Sequence, residues 1–186
     1  MLPHLIQRTD GYLFYVINRN IQNSIFDFIM PFITEAGSAY LITAAGLFLL
    51  ISNRKKLKSL GFMILSGLAV SETVSTILKG VFARPRPAFV IENIRLLCHK
   101  SYTGSFPSGH TTLFFTVAAI IVSAYPRTAP IVFALAIVAG FSRVYVGAHF
   151  PTDVIAGAVL GLLIGGIIAY IWRKSFSSPG HQQKSA

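Results

Sequence analysis

The chain has 186 residues, of which 53% are hydrophobic and only 12% charged, with a formal net charge of +10 and a mean hydropathy of +0.64. A soluble domain of this length would lack the polar residues to cover its surface, so the composition excludes a water-soluble globule and makes the bilayer the solvent. The positive charge is not a nucleic-acid footprint: basic residues divide between short turns and three polar clusters, leaving no soluble basic face to track a backbone.

In chain order, Leu13, Phe14, Val16, Ile17 and Ile21 sit among Arg8, Asp10, Asn18, Arg19 and Asn20. This pattern predicts an amphipathic helix on the membrane surface rather than a further crossing. No signal peptide is expected, because a basic start, a clean apolar run and a small-residue cleavage site do not follow in that order. A crossing needs about 20 apolar residues. Four are predicted at Leu60 to Leu78, Thr111 to Tyr125, Ala129 to Val146 and Val154 to Trp172. A fifth runs from about Ala36 to Ile51 and is short unless Ile25 to Thr34 extend it, with Pro31, Glu35 and Gly37 in or beside it. The expected fold is therefore all-α, a polytopic transmembrane helix bundle of five spans, or six, plus an N-terminal interfacial helix. It forms one domain over residues 1–186, without repeat or linker, and residues 175–186 read as a flexible tail.

Arg54, Lys55, Lys56 and Lys58 fill one predicted turn, Arg127 another, and Arg173, Lys174 and Lys184 follow the last span. These places alternate correctly to share one side, and lysine and arginine favour the cytoplasm. The polar clusters and the long connection from Val81 to Phe106 then lie outside. In a bacterial inner membrane that face is periplasmic. Lone Cys98 has no intramolecular disulfide partner and is expected to be a loop residue without chemistry.

The clusters are Lys79 with Arg84-Pro85-Arg86-Pro87, then Pro107-Ser108-Gly109-His110, then Ser142-Arg143 with His149 and Asp153. Each falls at the end of an apolar stretch. Pro107 and Pro151 open helices, where a missing amide hydrogen does no harm, and free amides at two helix starts attract anions. Lys79, Arg86 and Arg143 are fixed cations that a bilayer tolerates poorly unless an anion offsets them. Together with Ser108 and Gly109 they form a predicted phosphate cradle, and arginine grips two phosphate oxygens at once. Asp153, four residues after His149, is expected to accept the Nδ1 proton and leave Nε2 as a nucleophile, with His110 as the acid. Arg84 is either an additional phosphate contact or a loop cation. A metal held by His110, His149 and Asp153 is chemically possible, but the surrounding cations already supply the positive charge and would repel one, so no metal or other cofactor is expected.

These residues, in identity, order and spacing, resemble the three-part signature of the type 2 phosphatidic acid phosphatase (PAP2) family: Lys79, six residues, Arg86-Pro87; Pro107-Ser108-Gly109-His110; and Ser142-Arg143, five residues, His149, three residues, Asp153. The signature region spans residues 79–153. The resemblance implies an α-helical membrane fold and metal-independent hydrolysis, with His149 as nucleophile, His110 as acid, Asp153 orienting, and Lys79, Arg86, Ser108, Gly109 and Arg143 on the phosphate. Many members of this type have six spans, and a clear first span is lacking here.

Several other residues are expected to be structural: Glu72 as a buried partner of Lys79, Tyr102, Phe106 and Tyr145 as interface or packing aromatics, and Glu92, Arg95, His99 and Lys100 as solvent-exposed loop residues. The expected partners are the bilayer and a phosphorylated membrane lipid, not a nucleic acid; no residue pattern points to an oligomeric state. Candidate substrates are an isoprenyl diphosphate such as undecaprenyl diphosphate and phosphatidylglycerol phosphate, then the 1-phosphate of lipid A, and phosphatidic acid. The competing readings are an anion or phosphate transporter, which predicts cations spread through the membrane depth, and a lipid-phosphate binder without activity.

Overall fold

A computed structural model describes residues 2–36 and 39–177, and among them every regular element is helical. Helix α1 covers Leu2–Tyr15 and continues as a π-turn over Val16–Asn20; α2 covers Ser24–Ala36, α3 Ala39–Leu50, α4 Lys55–Phe82, and a single turn, α5, Pro87–Val90. Helix α6 covers Gly109–Ala124, α7 Ala129–Tyr145 after a 3-10 turn at Pro126–Thr128, and α8 Pro151–Ser177.

Three segments are long and apolar enough to cross a membrane: Lys55–Val90, Pro126–Tyr145 and Pro151–Ser175. A fourth exists if α2 and α3, bent by 53° at their break, count as one broken span. Helix α6 is apolar but has 16 residues, about 24 Å of rise against a hydrocarbon core of about 30 Å. Among the described residues, length and composition thus support three or four of the predicted five or six spans. Gly37 lies outside the described residues, as do Lys184 and the tail from residue 178; α8 itself runs through Ser177, past the predicted start of that tail.

The centre of the bundle is the contact of α6 with α8, the most extensive between any two helices. Its cause is a stripe of small residues on α8. A Cβ at Gly157 would stand 2.7 Å from the Ser108 carbonyl oxygen and one at Gly165 2.5 Å from that of Thr116, while one at Gly161 would meet Thr112 more closely still. In lipid, where apolar side chains gain little by leaving their solvent, such backbone approach is what holds helices together. Leu60, Met63, Ile64 and Ile120 close the core between α4 and α6. Exposed apolar side chains such as Ile131, Leu135, Ile155, Val159 and Ile167 form the lipid-facing exterior.

The basic turns share one end: the Lys56 ammonium sits 4.0 Å from the centre of the Tyr125 ring, and Lys56 and Arg173 line one cavity there. Helix α4 ends at the opposite pole. Ala83 adopts the left-handed conformation, φ 43°, its N–H returning to the Lys79 carbonyl, and Pro85 and Pro87 keep α4 from continuing, although Pro87 can open the short turn α5. Helix α1 lies at that pole too, burying Asp10, Phe14 and Asn18 on one face and exposing Tyr12, Leu13 and Tyr15 on the other. It is an end-piece of the bundle, with the amphipathic character read from its sequence.

Candidate active site

Lys79 from the last turns of α4, Arg86 before α5, Gly109 and His110 from the first turn of α6, Arg143 from the last turn of α7 and His149 from the α7–α8 connection line one cavity of about 430 Å³. Three separate stretches of sequence, residues 79–86, 109–110 and 143–149, therefore deliver these predicted cations and both histidines to one place. Glu35, Tyr40, Glu72, Cys98, His99 and Thr103 are among the other residues of its walls.

His149 is held by its backbone and its ring. The turn into α8 starts at Gly147, φ 84°, where a Cβ would lie 2.5 Å from the Arg95 carbonyl oxygen, so only glycine fits. The amides of Ala148 and His149 both return to the Arg143 carbonyl, at 3.0 and 3.2 Å. The ring is buried, with Nδ1 donating to the Ser105 carbonyl at 2.8 Å. That bond places the other lone pair on Nε2, which lies 3.3 Å from the Arg86 guanidinium. Burial, followed by the nearby Arg143, Arg86 and Lys79 charges, pushes the imidazole well below its ordinary pKa. The lowered pKa favours the neutral ring, whose Nε2 accepts from Arg86 NH1 among the cations of the cavity, the side from which a nucleophile would meet an anion.

Here the expected role of Asp153 changes. Its Oδ2 stands 3.6 Å from His149 Nδ1, outside hydrogen-bond range, and accepts the Phe150 N–H at 2.9 Å instead. Oδ1 pairs with Arg84 at 2.5 Å. The ring is oriented by the Ser105 carbonyl, a backbone group to which no side-chain spacing could point, and the Asp153 carboxylate stands near it without bonding it. Arg84 is neither of the two things expected of it: it bridges Asp153 to Asp10 of α1, at 2.5 Å from each.

The cradle also departs from expectation. Ser108 is fully buried and does not line the cavity. Its amide donates to the Asp153 carbonyl at 3.0 Å, and its hydroxyl accepts from Thr111 at 3.0 Å. The start of α8 offers no free amides to an anion where they were predicted, because Phe150 N–H is taken by Asp153 and Thr152 N–H by Asp10. The start of α6 remains, where Gly109 brings the backbone to the cavity: a Cβ there would stand 3.1 Å from Lys79 Nζ.

Arg86 donates from Nε to the Thr103 carbonyl at 3.0 Å, and from NH1 to the Ala148 carbonyl at 3.2 Å. Arg143 donates to the Thr34 hydroxyl at 3.0 Å, while among the described residues its buried Nε has no hydrogen-bond partner. An orphaned guanidinium donor on the wall of a cationic cavity is the feature an anion would complete. Thr34, Thr103 and Ser105 carried no recognisable signal in sequence.

The connection between α5 and α6 is pinned rather than loose. Arg95, expected in solvent, forms an ion pair with Asp27, whose other oxygen accepts from Tyr145 at 2.6 Å. Asn18 bonds the Arg95 and Tyr145 carbonyls at 2.8 Å each and the Arg95 amide at 2.9 Å. Cys98, whose thiol is pushed up by burial, stands in the cavity wall. His99 joins it there, and Glu72 shares the cavity with Lys79.

Residues 56–177 match the PAP2 superfamily. The chain belongs to that family. Undecaprenyl-diphosphatase BcrC of Bacillus subtilis is 33% identical over 148 residues, 77% of this chain and 73% of the relative. The lipid A 4'-phosphatase of Porphyromonas gingivalis is 30% identical over 189 residues, 91% of this chain and 78% of the relative. The crystal structure of a transmembrane PAP2-type phosphatidylglycerolphosphate phosphatase from Bacillus subtilis superimposes with a TM-score of 0.72 at 27% identity, covering 91% of this chain and 87% of that one. PAP2 membership makes this a multi-pass membrane enzyme whose relatives are lipid phosphatases, hydrolases of phosphoric monoesters or diphosphates.

Proposed function

We propose that this PAP2 enzyme hydrolyses a phosphate monoester or diphosphate carried by a membrane lipid, at the outer face of a bacterial inner membrane, through a phosphohistidine intermediate. The observation that carries the reading is the neutral His149 ring: Nδ1 is fixed on the Ser105 carbonyl, and Nε2 is beside Arg86 in a cavity shared with Lys79, Arg143, Gly109 and His110.

In the first step His149 Nε2 attacks phosphorus. The bond from phosphorus to the leaving oxygen breaks, and that oxygen takes a proton from His110. Lys79, Arg86, Arg143 and the Gly109 backbone hold the non-bridging oxygens while charge moves to the leaving group. In the second step His110 takes a proton from water, whose oxygen attacks phosphorus; the phosphorus–nitrogen bond breaks and phosphate leaves. Asp153 offsets the positive charge that His149 carries between the steps. Ser108 supports the α6 start from behind.

The outward orientation rests on the basic turns gathered at the opposite pole, and five crossings follow if α2 with α3 is one broken span and α6 is completed by its flanks. A substrate whose remainder stays in lipid suits a cavity at the end of a membrane bundle. Isoprenyl diphosphate and phosphatidylglycerol phosphate rank first, in line with two of the relatives, followed by lipid A phosphate and phosphatidic acid.

The test is phosphate release by the purified protein with excess chelator, against those four lipids and one soluble phosphate ester, beside His149→Ala. Chelator-resistant release that vanishes in the variant is the expected result, with a trapped acid-labile phosphohistidine as its signature. No release from any lipid by folded protein would move the reading to binding or transport.

A further inference from the structure

Asp10 is the residue of α1 that the proposed chemistry leaves unused, and its surroundings are unusual for a helix at a membrane surface. It is 2% exposed and accepts three hydrogen bonds: from Arg84 at 2.5 Å, the Thr152 hydroxyl at 2.5 Å and the Thr152 amide at 2.9 Å. Arg84 uses its other nitrogen for Thr152 Oγ1 at 2.8 Å and Asp153 Oδ1 at 2.5 Å. Beneath the guanidinium lies the Phe150 ring, 4.3 Å away, and Phe14, one turn after Asp10, packs on that ring with centroids 5.7 Å apart. One face of α1 therefore grips the short turn between His149 and the first residues of α8.

Charge gives this grip a chemical meaning. Arg84 alone would cancel the charge of Asp153, the anion nearest His149. With Asp10 on the same guanidinium, two carboxylates against one cation leave one net negative charge in the cluster, in a site screened little by water.

We propose that Asp10 is a positioning residue for the reaction: through Arg84 and Thr152 it fixes Asp153 opposite His149 and keeps the cluster anionic as His149 takes the phosphoryl group. Helix α1 is then a working part of the site, not only a membrane anchor. This rests on the role given to His149 above.

The test compares Asp10→Asn with Asp10→Glu in the full-length protein, reading kcat, KM and thermal stability. Asparagine keeps the shape and loses the charge; glutamate keeps the charge and strains the shape. Outer partners of metal ligands, which likewise act through a second residue, typically carry about 10- to 100-fold in activity, and the low end of that range is the scale taken for Asp10. The expected result is kcat roughly tenfold lower in Asp10→Asn with KM within about twofold, and kcat closer to wild type in Asp10→Glu although it is the less stable protein. A role in packing alone predicts the reverse order, with activity following stability, and would overturn the proposal. If Asp10→Glu does not fold, Arg84→Met serves, since it leaves two carboxylates facing each other without a cation. Adding Asp10→Asn to it should restore part of kcat, and a loss equal to the product of the two single losses would reject the link. An active wild type whose kcat is unchanged by Asp10→Asn removes this inference alone. A wild type inactive on every lipid removes the functional reading, and this inference with it.

Discussion

The amide of Ser108 donates to the carbonyl of Asp153 across 3.0 Å, joining the residue before α6 to the first turn of α8. Two candidate-site segments, whose histidines His110 and His149 lie 39 residues apart in the chain, are thereby set by one backbone contact, and the glycine stripe on α8 is what lets the helices come close enough to make it. The position of His110 relative to His149 is a property of helix packing.

Gly161→Val should disturb that packing directly, because a Cβ there already collides with the Thr112 backbone. Overpacking of this kind costs about 1–3 kcal/mol. The variant is expected to melt earlier in detergent and to lose kcat in proportion to the displaced helix starts. Unchanged melting would mean that α6 and α8 do not approach as described.

His149 is held neutral by burial, then by the neighbouring cations. A base with a lowered pKa remains unprotonated where a free imidazole, near about 6.5, gains its proton. In ligand-free protein labelled with 15N-histidine, the His149 resonances should report the Nδ1–H tautomer without titrating from about pH 7.5 to 5.5. The unfolded chain binds that proton and the folded one does not, so this residue's contribution to stability falls as pH drops below about 6.5. A midpoint near the free value would place the ring in water.

Arg143→Lys keeps a positive charge but loses the fork that reaches Thr34 and presents the unpaired Nε. Hydrogen bonds to charged groups are worth about 1.5–3 kcal/mol, so kcat/KM should fall roughly 10- to 100-fold. Steady-state kinetics and inorganic phosphate inhibition will check it; parity with wild type would make Arg143 a purely structural cation.

Asn18→Ala should separate stability from chemistry. The side chain is buried and satisfies the Arg95 and Tyr145 carbonyls and the Arg95 amide at once, and orphaning such groups costs about 1–3 kcal/mol. Faster hydrogen exchange at residues 93–98 and a lower melting temperature are expected, with kcat reduced less than in Arg143→Lys. Unaltered exchange would mean that the α5–α6 connection is fixed by other contacts.

The sequence by itself determined that this is a helical membrane protein, where its apolar stretches lie, and which cations and histidines to look for at one site; Lys79, Arg86, Arg143, His110 and His149 do line one cavity. Hydrophobicity and residue type are local properties, and the short spacings around Lys79–Arg86 and Arg143–His149 are fixed by the chain itself. The tertiary structure alone decided the partners. The orienting acceptor for His149 is a carbonyl 44 residues away, Arg84 turned out to join α1 to α8, and Ser108 spends its amide on Asp153 instead of a ligand. Backbone oxygens look identical in every sequence, and a carboxylate takes whichever donor packing brings within 3 Å. Those choices arise when the glycine stripe brings two helix starts together and α1 closes over them.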